Sequence, residues 1–229
     1  NIIDEIKYWK KKLGINKFVF RDPVFSINRK HTIEFCNEVI AQKLDITFLV
    51  ETHLNNLDDE MIPLLSKAGL RLVYVGVESA NEVVLKDMKR FTVEQDKQYK
   101  VIKQCEDSGI KVKTMFIIGN PEDTEETIMQ TIDYSKYLPS LYAQYSVFTP
   151  YPGTPVYNEY KNLITEKKLE NFDQYRLTFK HNNLTEKKIN ELKSKAYFKF
   201  YFNIFKIFET IKYLLISKYG NFLTINRKN

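Results

Sequence analysis

A chain of 229 residues is long enough for one sizeable domain with a buried core and an appended subdomain. With 43% hydrophobic and 28% charged residues, and only seven glycines and seven prolines, it is not a low-complexity or disordered sequence and has little room for long loops. The net charge of +6 is spread along the chain and reads as lysine-rich solvated helix faces. No nucleic-acid partner is expected, while an anionic substrate or a membrane surface stays open.

Residues 1–14 read as a helix, with Ile2, Ile3, Ile6, Trp9 and Leu13 on one face. The chain starts at Asn1 directly in this pattern, with no signal peptide before it, and the expectation is a piece of a longer protein. Residues 17–21 read as a strand and 30–44 as a helix opened near Asn28 and closed near Lys43. A buried strand follows at 46–51. The helix at 58–68 has Asp58 and Asp59 in its first turn, where the helix dipole favours negative charge, and Gly69 as its stop. Then come a strand at 71–75, a short helix at 81–89, a longer helix at 93–108 ahead of Gly109, and a strand at 111–118. A helix at 124–138 is capped near Thr124, and a strand at 141–148 leads through Pro150-Tyr151-Pro152-Gly153-Thr154 into a helix near 155–162.

Strands alternating with helices imply parallel pairing with right-handed crossovers. A barrel, a partial barrel and a doubly wound sheet all satisfy that pattern, and each gathers ligands at the C-terminal ends of its strands.

The tail, 164–229, shows no strand pattern. Residues 185–218 read as one or two helices dense in aromatics: Tyr197, Phe198, Phe200, Tyr201, Phe202, Phe205 and Phe208. Lys199, Asn203, Lys206, Glu209 and Lys212 interrupt them, so no apolar run reaches membrane-spanning length. One reading is a helix packed on the sheet, and the other a basic, aromatic helix in peripheral contact with a membrane. Cys36 and Cys105 lie 69 positions apart in helical segments. They lack the close spacing of a zinc or cluster site and read as buried thiols of a reducing, cytoplasmic compartment.

Polar residues stand at the strand ends. Gly76 lets a ligand approach the backbone, and Glu78 two residues on can accept from a ribose hydroxyl or an ammonium; its plainer role is a helix cap or a lysine partner. Glu51 closes the strand before it and needs a cationic or hydrogen-bonding partner if buried. Arg90 ends the short helix and has the fork that suits a carboxylate, or is a surface arginine beside Lys89. Ile117-Ile118-Gly119-Asn120-Pro121 followed by Glu122-Asp123-Thr124 makes a tight turn that is no Walker loop. Tyr151, between two prolines, offers a flat face to an adenine ring or to its neighbours.

Each signal is weak alone, and their order is not. Gly-Val-Glu-Ser at 76–79, Ile-Ile-Gly-Asn-Pro-Glu-Asp-Thr at 117–124 and Pro-Tyr-Pro-Gly-Thr at 150–154 together resemble the radical S-adenosylmethionine (SAM) superfamily, closest to the branch with an N-terminal cobalamin-binding domain. The stretch 20–28, Phe20-Arg21-Asp22-Pro23-Val24-Phe25-Ser26-Ile27-Asn28, resembles that branch's second-strand signature, and Ala196 to Tyr201 its C-terminal helix. The resemblance implies an α/β fold, a partial (β/α)6 TIM-like barrel of parallel strands over 1–163, with a C-terminal helical extension over 164–229. It implies cofactor contacts at Asp22, Glu51, Gly76, Glu78, Arg90 and Tyr151. Met115 stands where some relatives have an aspartate, so one ribose contact is expected to be missing.

The family holds a 4Fe-4S cluster on a Cys-x-x-x-Cys-x-x-Cys loop after its first strand. This chain is expected to begin after that loop, so the first strand and cluster ligands are absent and the piece alone is expected to be inactive. The parent is expected to cleave S-adenosylmethionine reductively and start radical chemistry on a small-molecule or lipid-like substrate. Cobalamin-dependent methyl transfer or rearrangement, and a reductant such as flavodoxin or ferredoxin, follow from the same resemblance. The rival from another class is a degenerate, non-catalytic barrel acting as a binding or partner-interaction module. A metal-dependent barrel hydrolase is disfavoured, because His31, His53 and His181 lack ligand spacing.

Overall fold

The computed structural model describes residues 1–89, 93–203, 206–208, 210–211, 213 and 215. Arg90, and Phe205, Glu209 and Lys212 of the expected aromatic helix, lie outside the described residues. Helix α1 (Ile2–Leu13) is followed by β1 (Lys17–Val19), α2 (Arg29–Ala41), β2 (Thr47–Thr52), α3 (Met61–Ala68) and β3 (Leu70–Glu78). Then come α4 (Glu82–Asp87), α5 (Gln95–Asp107), β4 (Lys111–Ile118), α6 (Glu125–Tyr137), β5 (Tyr142–Val147), α7 (Pro155–Tyr160) and α8 (Glu186–Tyr201). The five strands lie side by side in chain order in one parallel sheet, with helices between them, as a partial α/β TIM-like barrel. Sequential order in a parallel sheet winds the chain one way around, which selects the partial barrel over the doubly wound alternative.

The chain forms two compact units. The first comprises Asn1–Ile117 and Leu138–Ser146, and holds the sheet except for the last residues of β4 and β5. Its core is built where α2 packs on α3 and α3 on β3, around Ile62, Leu70, Val73 and Val75, each 0% exposed. Each such side chain contributes about 1.5–3 kcal/mol by leaving water. Phe20, Phe25, Phe35 and Phe48 form an aromatic cluster, Phe20 meeting the other three at centroid distances of 5.1, 5.4 and 5.6 Å. Glu106 ties β4 to the entry of β5: one carboxylate oxygen accepts from the backbone N–H groups of Val112 (2.8 Å) and Leu141 (3.0 Å), and the other takes Lys111 Nζ at 2.9 Å.

The second unit comprises Ile118–Tyr137 and the described residues from Val147 onward. Here α8 packs on α6 through the buried Ile128, Ile132, Leu192, Ala196 and Phe200. Lys188 pairs with Glu125 (3.0 Å) at one end of the helix pair and Lys199 with Asp133 (2.9 Å) at the other. Among the described residues the tail holds one β-bridge, antiparallel, between Ile164 and Phe179. No helix among the described residues is long and apolar enough to cross a membrane.

Two expected boundaries shift for identifiable reasons. Helix α3 starts at Met61 rather than at 58, because the Asp58 side chain accepts from the N–H groups of Glu60 (3.1 Å) and Met61 (2.8 Å) and holds the preceding backbone outside the helix. Strand β3 runs to Glu78 rather than stopping at Val75, because pairing with β4 continues through Gly76 and Glu78 and buries Val77.

Candidate ligand-binding face of the sheet

Burial alternates along every central strand, so the sheet has one fully buried face and one half-buried face. Phe48 and Val50, then Val73 and Val75, then Val112, Thr114 and Phe116 occupy the buried face. Leu49 and Glu51, then Leu72, Tyr74 and Gly76, then Lys111, Lys113 and Met115 occupy the other. Parallel register sorts these into rows across three strands: Leu49, Leu72 and Lys111; Glu51, Tyr74 and Lys113; then Gly76 and Met115. The last row is nearest the C-terminal strand ends, where parallel folds bind ligands.

Glu78 is positioned by a local distortion. The β3–β4 register slips between Gly76 and Glu78, so Gly76 pairs with Met115 and Glu78 with Phe116, leaving Val77 as the extra residue of a bulge. Glu78 has φ +68, and its carboxylate folds back over Gly76. The Glu78 Cδ lies 3.2 Å from where a Cβ on Gly76 would sit, and Oε1 closer still, so a side chain at position 76 would displace the carboxylate from this place. The fold-back puts the carboxylate over Gly76, in the row next to that of Glu51. Glu51 stands one strand away and two residues back from Gly76, about 8 Å between Cα atoms for ordinary strand spacing.

Lys113 is the cation in the Glu51 row, two strands away and not in contact with it. Its Nζ lies 4.5 Å from the centroid of the Tyr74 ring, the residue between the two charges in the row. Burial pushes the ammonium below its ordinary pKa, and the Glu51 carboxylate opposes that shift. The sequence reading did not single out Lys113. The signal was present in Lys111-Val112-Lys113-Thr114-Met115, where period two puts both lysines opposite the buried valine and threonine.

The other expected residues are placed differently. Asp22 is exposed in the loop after β1. That loop is pinned to the end of β2 by Phe25 N–H donating to Glu51 O (2.9 Å) and by a hydrogen bond between the hydroxyls of Ser26 and Thr52. Tyr151 belongs to the second unit, 39% exposed, in a turn closed by Thr154, whose N–H and hydroxyl both donate to the Tyr151 carbonyl at 3.1 and 2.7 Å. Glu51, Gly76 and Glu78 are thus brought onto one face, and Asp22 stands in the loop pinned beside the end of β2.

In the second unit the turn after β4 is organised around a buried carboxylate. Asp123 Oδ2 accepts from the Asn120 backbone N–H (2.8 Å) and Nδ2 (3.1 Å), and Oδ1 from the Thr127 hydroxyl (2.7 Å). His181 Nδ1 accepts from the N–H groups of Asn183 (3.0 Å) and Leu184 (3.1 Å), which leaves its Nε2–H to donate to Asn120 O at 2.7 Å. Burial raises the Asp123 pKa, and its hydrogen bonds pull against that shift.

Chemically, the half-buried face offers two carboxylates as acceptors and one ammonium as donor, which suits a ligand carrying hydroxyl or ammonium donors and an anionic group. It does not suit an iron–sulfur cluster. The cysteines are separate and buried, with burial pushing each thiol up to about 12, and no group of three or more His, Cys, Asp and Glu among the described residues is placed to hold a metal.

A family profile described as the Radical SAM superfamily matches residues 1–135. The chain is 29% identical over 204 residues to an uncharacterized methyltransferase of Pyrococcus horikoshii, covering 87% of this chain and 44% of the relative. It is 32% identical over 162 residues to the anaerobic magnesium-protoporphyrin IX monomethyl ester cyclase of Rubrivivax gelatinosus, covering 69% of this chain and 29% of the relative. The chain therefore spans less than half the length of either. Among solved structures it resembles the radical S-adenosylmethionine methyltransferase TsrM of Kitasatospora setae, solved with cobalamin and a [4Fe-4S] cluster bound. The TM-score is 0.64 at 21% identity, over 70% of this chain and 33% of that one, a likeness of fold alone.

Proposed function

This chain belongs to the radical SAM superfamily, and we propose that its half-buried sheet face is the cofactor-holding wall of a radical SAM enzyme acting on a small molecule. The observation that carries the reading is the Glu78 carboxylate, held left-handed at a bulge and folded over Gly76, because a strained residue kept at a strand end marks a functional position. Glu78 and Glu51 accept hydrogen bonds from the ribose hydroxyls and ammonium of S-adenosylmethionine, and the bare Gly76 backbone admits the ligand. Bound S-adenosylmethionine would supply, on one-electron reduction with release of methionine, the 5′-deoxyadenosyl group that takes a hydrogen atom from the substrate. The described residues supply no group of ligands for the iron–sulfur cluster this chemistry requires.

Arg90, Asp22 and Tyr151 complete the proposed set, for the cofactor carboxylate, ammonium and adenine respectively. Relatives named as a methyltransferase and a cyclase support methyl transfer or ring formation as the outcome, and the cobalamin bound in the TsrM structure supports cobalamin as a second cofactor. A flavodoxin- or ferredoxin-type protein is the proposed reductant. Peripheral membrane contact is proposed through α8 and its flank, where the stacked rings of Phe198 and Phe202 (centroids 4.6 Å apart) are 61% and 70% exposed. Sedimentation with anionic vesicles tests that contact, and a protein that stays in the supernatant refutes it.

Calorimetric titration of the full-length protein with S-adenosylmethionine tests the main reading. Binding is expected to weaken about tenfold in each of Glu51→Gln and Glu78→Gln, the worth of one charge-assisted hydrogen bond. Unchanged affinity in both variants overturns the assignment of this face.

A further inference from the structure

The radical-enzyme reading leaves Lys113 without a task. Two lysines point onto the half-buried face from β4, and only one of them is accounted for. Lys111 is tied to Glu106 at 2.9 Å. Lys113 has the Tyr74 ring beneath its ammonium at 4.5 Å, and among the described residues its ammonium makes no hydrogen bond or ion pair. Glu51 attracts it from two strands away, about 10 Å between Cα atoms, across the Tyr74 ring. An ammonium partly withdrawn from water without an anion in contact is disfavoured, and a ligand anion offsets that cost.

We propose that Lys113, on the Tyr74 ring, receives a carboxylate carried by the substrate. One compact cation with a carboxylate in the same row suits a singly charged group, since a dianionic phosphate is repelled more strongly by Glu51 and needs more donors. The substrate, and not S-adenosylmethionine, is the source because Lys113 lies across the Tyr74 ring from Glu51, two strands and about 10 Å away, and one row back from Gly76 and the folded-back Glu78, about 7 Å along the strand. The word substrate rests on the proposed function, whereas the anion site itself rests on Lys113, Tyr74 and Glu51.

The test is calorimetry on the full-length protein with sodium propionate and sodium benzoate as probes, at ionic strength held constant with sodium chloride. Saturable binding in the millimolar range is expected. Lys113→Met abolishes it, and Lys113→Arg keeps it within about threefold because the charge remains. Glu51→Gln tightens it about threefold by removing the nearest competing negative charge. Absence of saturable binding, unchanged binding in Lys113→Met with its fold confirmed by circular dichroism, or weaker binding in Glu51→Gln each overturns the site. Saturating S-adenosylmethionine leaves benzoate affinity unchanged if the carboxylate is the substrate's, and competition between them overturns that source. If S-adenosylmethionine itself fails to bind while benzoate still does, the radical-enzyme reading falls and the anion site stands.

Discussion

Glu78 combines two properties that an ordinary strand residue does not have: a left-handed backbone at φ +68 and a carboxylate folded onto its own strand. A side chain in that region costs about 1 kcal/mol relative to glycine, which gives a test with opposite signs. Glu78→Gly is expected to leave thermal stability unchanged or raise it slightly while weakening S-adenosylmethionine binding about tenfold or more. A parallel loss of stability and binding shows instead that Glu78 is structural. Asp123 makes a different prediction. Its pKa is raised above the ordinary 3.8 in the folded protein, so its contribution to stability is fully present below pH 3.8 and is lost as pH rises through the folded value. The stability of wild type relative to Asp123→Asn is therefore expected to fall with rising pH above 3.8, and urea unfolding across that range checks it. A difference that rises with pH contradicts the assignment of burial as the dominant cause. The residue types at both positions were visible in the sequence. What hid their behaviour was backbone conformation at Glu78 and burial at Asp123, neither of which a residue's identity specifies.

At the scale of elements, periodicity located helices and strands well, and side-chain competition for backbone groups moved their ends. Asp58 holds the start of α3 back to Met61, and continued pairing with β4 extends β3 through a motif that reads as a turn in the sequence. The junction after β4 is set by Gly119, which has φ +73 and lies against α8, with Ile189 Cδ1 3.0 Å from where a Cβ would sit. Gly119→Ala is expected to destabilise by about 2 kcal/mol, one part backbone strain and one part overpacking against Ile189. Urea unfolding of Gly119→Ala beside Ile189→Val separates the two, since the smaller side chain relieves only the packing part in the double variant. A loss below about 0.5 kcal/mol in Gly119→Ala refutes the close approach.

At the scale of the whole molecule, a parallel sheet in chain order creates one half-buried face whose rows run across strands distant in sequence. Glu51, Tyr74 and Lys113 span 62 positions and meet only through register. The same scale governs the metal. Two separate buried thiols cannot replace three close thiolates, so anaerobic reconstitution of this 229-residue chain with iron and sulfide is expected to give no stable four-iron absorption. A stable four-iron spectrum from this chain refutes that expectation. The amino-acid sequence by itself determined the alternation of strands and helices, the parallel connectivity, the burial of both thiols and the motif order that marks the superfamily. These are local or ordinal properties: hydrophobic period, turn chemistry and the succession of elements. Tertiary structure alone decided that Lys113 shares a row with Glu51, that Glu78 turns back over Gly76 and that α8 packs on α6. Each depends on register, bulge or packing between segments far apart in the chain, and a one-residue slip in register changes all such pairings without changing the pattern read along the sequence.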